Sequence, residues 1–186
     1  MVDISLNYGK STLSVPLPEH LTATLIRKKR MPILDDPVSV LEDAFVKPIG
    51  SKPLVEVARN ANRACILICD ITRPVPNGVI LAPLLRALLS AGINAENISI
   101  LVATGLHRPN MDAELLELVG DPWVIENFRV ENHFARDDLA HVNLGLTRSG
   151  TVVKLDKRFI EADLRIVTGL VEPHFMAGWS GGRKVI

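Results

Sequence analysis

The chain has 186 residues, enough for one domain with a substantial core, and its 21 basic side chains are balanced by 21 acidic ones. A formal charge of zero and a pI near 7.0 give no global reason to bind nucleic acid or an anionic membrane. Hydrophobic residues at 47% with aromatics at only 4% suit the aliphatic core of a buried parallel sheet and exclude a disordered segment.

Residues 1–5 (MVDIS) lack a basic and apolar leader, and no apolar stretch reaches about 18 residues, so neither signal peptide nor membrane span is expected. Apolar residues alternate at Ile4, Leu6, Leu13 and Val15 around Tyr8, Gly9 and Lys10, which predicts a β-hairpin. The basic run Arg27, Lys28, Lys29 and Arg30 reads as a solvated connector. Asp36 before Pro37 places a cap and then a proline at the first helical position, predicting a helix through residues 38–45. A second short helix is expected over 53–60.

From Ala64 the pattern becomes that of an α/β domain. Residues 64–69 form a short apolar strand holding Cys65 and Cys69, which read as reduced thiols of a cytoplasmic protein. Leucines at 81, 84, 85, 88 and 89 stripe a helix over 77–90 that Gly92 closes, and 98–103 is another apolar strand. Strand, helix and strand within about 40 residues form a crossover unit with parallel strands. A helix near 112–119, a strand near 128–132, a hairpin around Thr147 to Gly150 and a last strand over 164–168 complete the reading. The fold class is α/β, a mainly parallel sheet flanked by helices, with an N-terminal β-hairpin and an additional hairpin. Residues 1–186 read as a single domain. The stretch 180–186 looks like a glycine loop feeding a further element, as in a truncated piece of a longer protein.

Three predicted strands end in loops rich in reactive groups. Cys69 leads into Asp70, Thr72, Arg73 and Pro74; Ala103 leads into Thr104, Gly105, His107, Arg108 and Pro109. Thr168 leads into Gly169, Glu172, Pro173 and His174, then Gly178, Trp179, Ser180, Gly181, Gly182, Arg183 and Lys184. In an open parallel sheet the ligand crevice lies at the carboxyl ends of the strands, so these loops are expected to converge. Asp70 and Thr72 read equally well as a turn and a helix cap, and His107 by itself as a surface residue; His174 is set apart because Pro173 stiffens the backbone and fixes where its ring points. The joint occurrence points to chemistry.

Free histidine titrates near neutrality, with a pKa of about 6.5. Two histidines from different loops can stand on opposite faces of a substrate, as inversion of a stereocentre requires. Arg73 offers a planar fork for a carboxylate. Backbone amides at Thr104, Gly105, Gly181 and Gly182 suit a phosphate. Lys184 supplies a primary amine beside a second cation, Arg183.

Residues 178–182 also fit the G-x-S-x-G elbow of serine hydrolases, which would make Ser180 a nucleophile. That elbow joins a sheet strand directly to a helix, whereas Ser180 lies 12 residues past Thr168 with Pro173 between. Zinc, NTP-loop and dinucleotide signatures are absent from the sequence.

The segments beginning at Asp70 (DITRP), Ala103 (ATGLHRP) and Glu172 (EPHFMAGWSGGRK) resemble three signatures of the LarA-like lactate racemase family, in the family's order. The resemblance covers the chain from about residue 64 to the end and implies the N-terminal catalytic domain of a 2-hydroxy acid racemase or epimerase, an isomerase. It implies a nickel-pincer nucleotide (nickel pyridinium bisthiocarboxylic acid mononucleotide) held covalently on Lys184. His107 and His174 would be the acid/base pair and Arg73 the substrate-carboxylate anchor. Asp70, with Thr104, Gly105, Gly181 and Gly182, would seat the nucleotide. The implied mechanism is proton-coupled hydride transfer on a lactate-like 2-hydroxy acid.

By the same resemblance the nickel-ligating histidine and a second domain lie beyond residue 186. This piece alone would then be inactive, metal ligands would be none within it, and cofactor-biosynthesis enzymes would be its protein partners. A non-catalytic nucleotide-binding module of the same fold is the alternative.

Overall fold

The alternation at the start of the chain does produce a hairpin. Strands β1 (Val2–Tyr8) and β2 (Ser11–Leu17) pair antiparallel, with Ile4 opposite Val15 and Leu6 opposite Leu13. The structure is a computed structural model describing residues 2–9, 11–24, 26, 29 and 31–186. Lys10 and most of the basic run, Arg27, Lys28 and Arg30, lie outside the described residues. The chain divides into two compact units, Met1–Ile33 with the hairpin and Leu34–Ile186 with everything that follows.

In the second unit Asp36 caps α1 (Pro37–Val46) as the sequence predicts, its carboxylate accepting from the Ser39 amide at 3.0 Å. Then come α2 (Leu54–Ala58), β3 (Ala64–Cys69), α3 (Asn77–Ser90), β4 (Ile98–Ala103) and α4 (Asp112–Val119). A further helix, α5 (Pro122–Asn127), starts at Asp121 and Pro122, the same cap-and-proline signal that marks α1. This helix goes beyond the elements predicted from the sequence, although its signal is present there.

The remaining elements are β5 (Arg129–Asn132), the antiparallel hairpin of β6 (His141–Leu146) and β7 (Val152–Asp156), α6 (Lys157–Ile160), and β8 (Leu164–Val167). Last is a small antiparallel pair, β9 (Pro173–His174) and β10 (Gly178–Trp179), within a stretch the sequence presents as loop.

Strands β5, β4, β3 and β8 form one parallel sheet in that order. The central strands are apolar at every position but Ser99 because both faces are covered. Ala64, Ile66, Ile68, Ile98, Ile100 and Val102 point into a core with Leu81, Leu85 and Leu88 of α3. Cys65, Leu67 and Leu101 point the other way, against Phe159 of α6 and Ala162. Two-residue periodicity thus sends alternate side chains into two cores, which fixes the register and hence the residue at which each strand ends. Both cysteines are free. Among the described residues no helix is long and apolar enough to cross a membrane.

Candidate active site

Register makes the carboxyl ends of the four parallel strands a row, and the loops leaving them meet. Asp70 and Arg73 follow β3, Thr104 to His107 follow β4, and the segment ending at Lys184 follows β8. Together they line one cavity of about 530 Å³. Asp70, Arg73, Thr104, Gly105, His107, His174, Gly181 and Lys184 all line it, so of the predicted site residues Gly182 alone stays out of the wall.

Asp70 is buried and organises two loops. One carboxylate oxygen accepts from the Thr72 amide at 3.1 Å and the Thr72 hydroxyl at 2.5 Å, which closes the turn after β3. The other accepts from His107 Nδ1 at 2.5 Å, while the His107 side chain stays 55% exposed. A proton on Nδ1 directed at the carboxylate leaves the lone pair of the neutral ring on Nε2. The loop carrying His107 is held from behind by Asn110, which is buried. Its side chain accepts from the Ile71 amide at 3.3 Å, and its backbone exchanges bonds of 2.9 and 2.8 Å with the Asn132 side chain. Arg108 is turned away on Glu114 in a two-pronged ion pair. The guanidinium, followed by the Asn110 amide, pulls the Glu114 carboxyl down to about 2.

His174 is fixed in the opposite sense. It sits at the end of β9, and its Nδ1 accepts from the backbone amides of Met176 and Ala177, each at 3.1 Å. Amides can only donate, so the neutral ring carries its proton on Nε2. The two histidines therefore present complementary nitrogens: a lone pair on His107 and an N–H on His174.

Ser180 serves this hairpin. It is buried; its hydroxyl donates to the Leu170 carbonyl at 2.7 Å and accepts from the Glu172 amide at 3.1 Å. The strand before it is the two-residue β10 and not a strand of the parallel sheet, so the geometry of a hydrolase elbow is not met.

The glycines divide by role. A Cβ on Gly181 would sit 2.8 Å from the Leu170 carbonyl oxygen, and its φ of +76° is left-handed, so it is required for the close approach of two backbone segments. A Cβ on Gly105, at φ +56°, would meet no protein atom within 4 Å, so the backbone there is open on the cavity side. Thr104 departs from the expected phosphate cradle: its amide donates to the Val102 carbonyl at 2.9 Å and its hydroxyl to the His133 carbonyl at 2.5 Å. Its bonds stay inside the protein.

The family described as the lactate racemase N-terminal domain matches residues 8–186. The chain belongs to the lactate racemase family. It is 37% identical over 188 residues to the lactate racemase of Lactiplantibacillus plantarum and 34% identical to that of Thermoanaerobacterium thermosaccharolyticum. Each alignment covers 100% of this chain but 44% of the relative, so the chain spans less than half the length of these lactate racemases.

The fold agrees. The lactate racemase apoprotein from T. thermosaccharolyticum superposes with a TM-score of 0.82 at 34% identity, over 98% of this chain and 42% of that one. A Thermotoga maritima crystal structure at 21% identity, with a TM-score of 0.68 over 83% of this chain and 39% of that one, shares the fold.

Family signatures did not lead the sequence reading to the far wall of the cavity. His133 directly follows β5, so all four strand ends contribute, and Lys154 and Asp156 of β7 line the same space. His133 Nδ1 bonds Asp156 at 2.9 Å, and Arg158 grips the same carboxylate at 3.0 and 2.6 Å. Burial alone would raise the Asp156 pKa, but the bonds from Arg158 and His133 outweigh it and hold the group well below the ordinary carboxylate range. A signal was available: His133 stands one residue past a predicted strand, the rule that singled out the other three loops.

Charge in the wall is lopsided. Both lining carboxylates are engaged, Asp70 by Thr72 and His107, Asp156 by Arg158 and His133. Arg73 and Lys184 make no side-chain hydrogen bond or ion pair among the described residues. An anionic occupant would satisfy them.

Proposed function

We propose that the full-length protein racemises or epimerises a lactate-like 2-hydroxy acid in this cavity. The observation that carries the reading is the complementary pair, His107 with a free Nε2 lone pair and His174 with an Nε2–H, lining one cavity with an unpaired arginine.

Each residue then has a task. Arg73 holds the substrate carboxylate as a two-point anchor and so fixes which groups of the 2-carbon face each histidine. His107, steadied by Asp70, takes the hydroxyl proton of one enantiomer at Nε2, and the carboxylate stabilises the resulting imidazolium. His174 starts as a hydrogen-bond donor to that hydroxyl oxygen through Nε2–H; only as an imidazolium, protonated on both nitrogens, does it return a proton to the oxygen of the opposite enantiomer, leaving a neutral ring. To take its turn as base for the other enantiomer, its Nδ1 must release the Met176 and Ala177 amides, so the hairpin tip moves with the proton.

The wall also fits the tethered nucleotide that the family resemblance implies. Lys184 has an unpaired amine on the cavity, and Gly105 leaves open space where a side chain would stand. Lys184 would hold the group, with Asp70, Gly105 and Gly181 around it. When bound, it supplies a reversible hydride acceptor for the hydrogen on the 2-carbon. Nickel binding and a cytoplasmic location are part of the same proposal.

The test is direct. Full-length protein coexpressed with cofactor-building enzymes is incubated with single enantiomers of lactate, malate and sugar acids, and the products are resolved by chiral chromatography. At least one pure enantiomer should relax to an equal mixture or to the epimer. Cofactor-loaded protein that leaves every such acid unchanged would overturn the proposal.

A further inference from the structure

The catalytic reading uses the ends of three strands and leaves the fourth without a task. At that end His133 is built as a functional group would be. Its side chain is 17% exposed, its Nδ1 donates to a carboxylate that is 5% exposed, and Arg158 holds that carboxylate in place. Its carbonyl is pinned by the Thr104 hydroxyl and its amide donates to Val102, so the backbone cannot drift. The ring packs edge-on against His141, with centroids 4.9 Å apart. With Nδ1 engaged, Nε2 is left without a bonding partner among the described residues.

Lys154 lines the same cavity, its ammonium paired with the exposed Asp138 at 2.7 Å. Arg158 divides its charge between Asp156 and Glu131, and in the imidazolium form of His133 an Nε2–H faces the cavity as a donor, which an incoming oxyanion would accept and stabilise.

We propose that His133 and Lys154 form an oxyanion subsite, taking a phosphate monoester or second carboxylate at the edge of the sheet away from Lys184. Strand spacing supports a separate subsite. β5 lies two spacings, roughly 10 Å, from β3, whose loop carries Arg73, and three spacings from β8, the strand that leads to Lys184. A three-carbon acid gripped by Arg73 does not reach that far, whereas an elongated anion does. The subsite does not depend on the racemase reading, because it is defined by direct binding without turnover.

The test is titration of inorganic phosphate, and separately malonate, into full-length protein purified without cofactor. Binding is followed by calorimetry and by the imidazole 15N resonances of His133. Phosphate should bind and shift the Nε2 resonance. His133→Gln should weaken binding by roughly tenfold, the worth of one charge-assisted hydrogen bond. Lys154→Ala, a change at a partly exposed hairpin position, should weaken it by about threefold.

Preference for phosphate would identify a phosphate ester as the occupant. Preference for malonate would identify an acidic substrate tail. No binding of either anion, unchanged affinity in both variants, or a loss confined to Lys154→Ala would overturn the subsite. Racemisation assays cannot produce any of these outcomes, so the two proposals fail separately.

Discussion

His107→Ala in the cofactor-loaded full-length enzyme is expected to lower racemisation by about 100- to 10,000-fold, the usual contribution of a positioned acid/base group. The fold should be unaffected, because the side chain is 55% exposed and its one partner is Asp70. The two enantiomers of a 2-hydroxy acid have equal free energy, so kcat/KM must fall by the same factor in both directions even though His107 faces one side of the substrate. Asp70→Asn should fall short of the alanine variant. The ring remains, but an amide can donate to Nδ1 and so favours the wrong tautomer. His174→Ala should be as damaging to activity, with an added loss of order at the hairpin tip where Met176 and Ala177 lose their acceptor. Chiral turnover assays in both directions decide the matter, and undiminished rates in either alanine variant would remove that histidine from the pair.

Asp156→Asn should destabilise the protein by about 3 kcal/mol, the low end of the range for breaking a buried ion pair. The low end applies because Arg158 is partly exposed and keeps a contact to Glu131 at 3.3 Å. For a chain of this size that is a fall in Tm of roughly 6–12 °C. The sign of the pH dependence follows from the depressed pKa. The folded protein holds Asp156 ionised below the ordinary aspartate value of 3.8, so this stabilisation is fully present above about that pH and is lost as pH falls through the folded value. Thermal melts at pH 7 should therefore separate wild type from variant widely, and the gap should narrow steadily in melts at successively lower pH below about 3.8. A gap that grows on acidification would show that the charge on Asp156 is not what the native state stabilises.

The parts of the fold that announce themselves in the sequence are those where local chemistry and tertiary cover agree. The runs at Ala64–Cys69 and Ile98–Ala103 are largely buried on both faces, so all positions but Ser99 are apolar and the strands are plain. The Asp36-Pro37 signal holds because the cap is local. The same signal at Asp121-Pro122 gives a six-residue helix too short for a visible apolar stripe. β9 and β10 were not legible because two-residue strands have no periodicity. Ser180, bonding across them, fixes the hairpin through a contact that spans eight to ten residues.

At the site, Asp70, His107, His174 and Lys184 were readable as chemistry at strand ends, and their shared cavity follows from strand order. The sequence cannot give the orientation of each ring. His107 owes its orientation to a residue 37 positions away, His133 to one 23 positions away. Those pairings exist only once the sheet has assembled. His133 stands directly after a predicted strand and is legible by the strand-end rule, whereas Lys154 is not, because β7 reaches the cavity from a separate hairpin.

The measurement closest to the core of the account is the mass of the peptide containing Lys184, taken from full-length protein that is demonstrably active. This peptide should carry the added mass of a nucleotide-derived group in proportion to activity, and Lys184→Ala should carry none and turn over nothing. Active protein whose Lys184 peptide has the unmodified mass would contradict the covalent assignment.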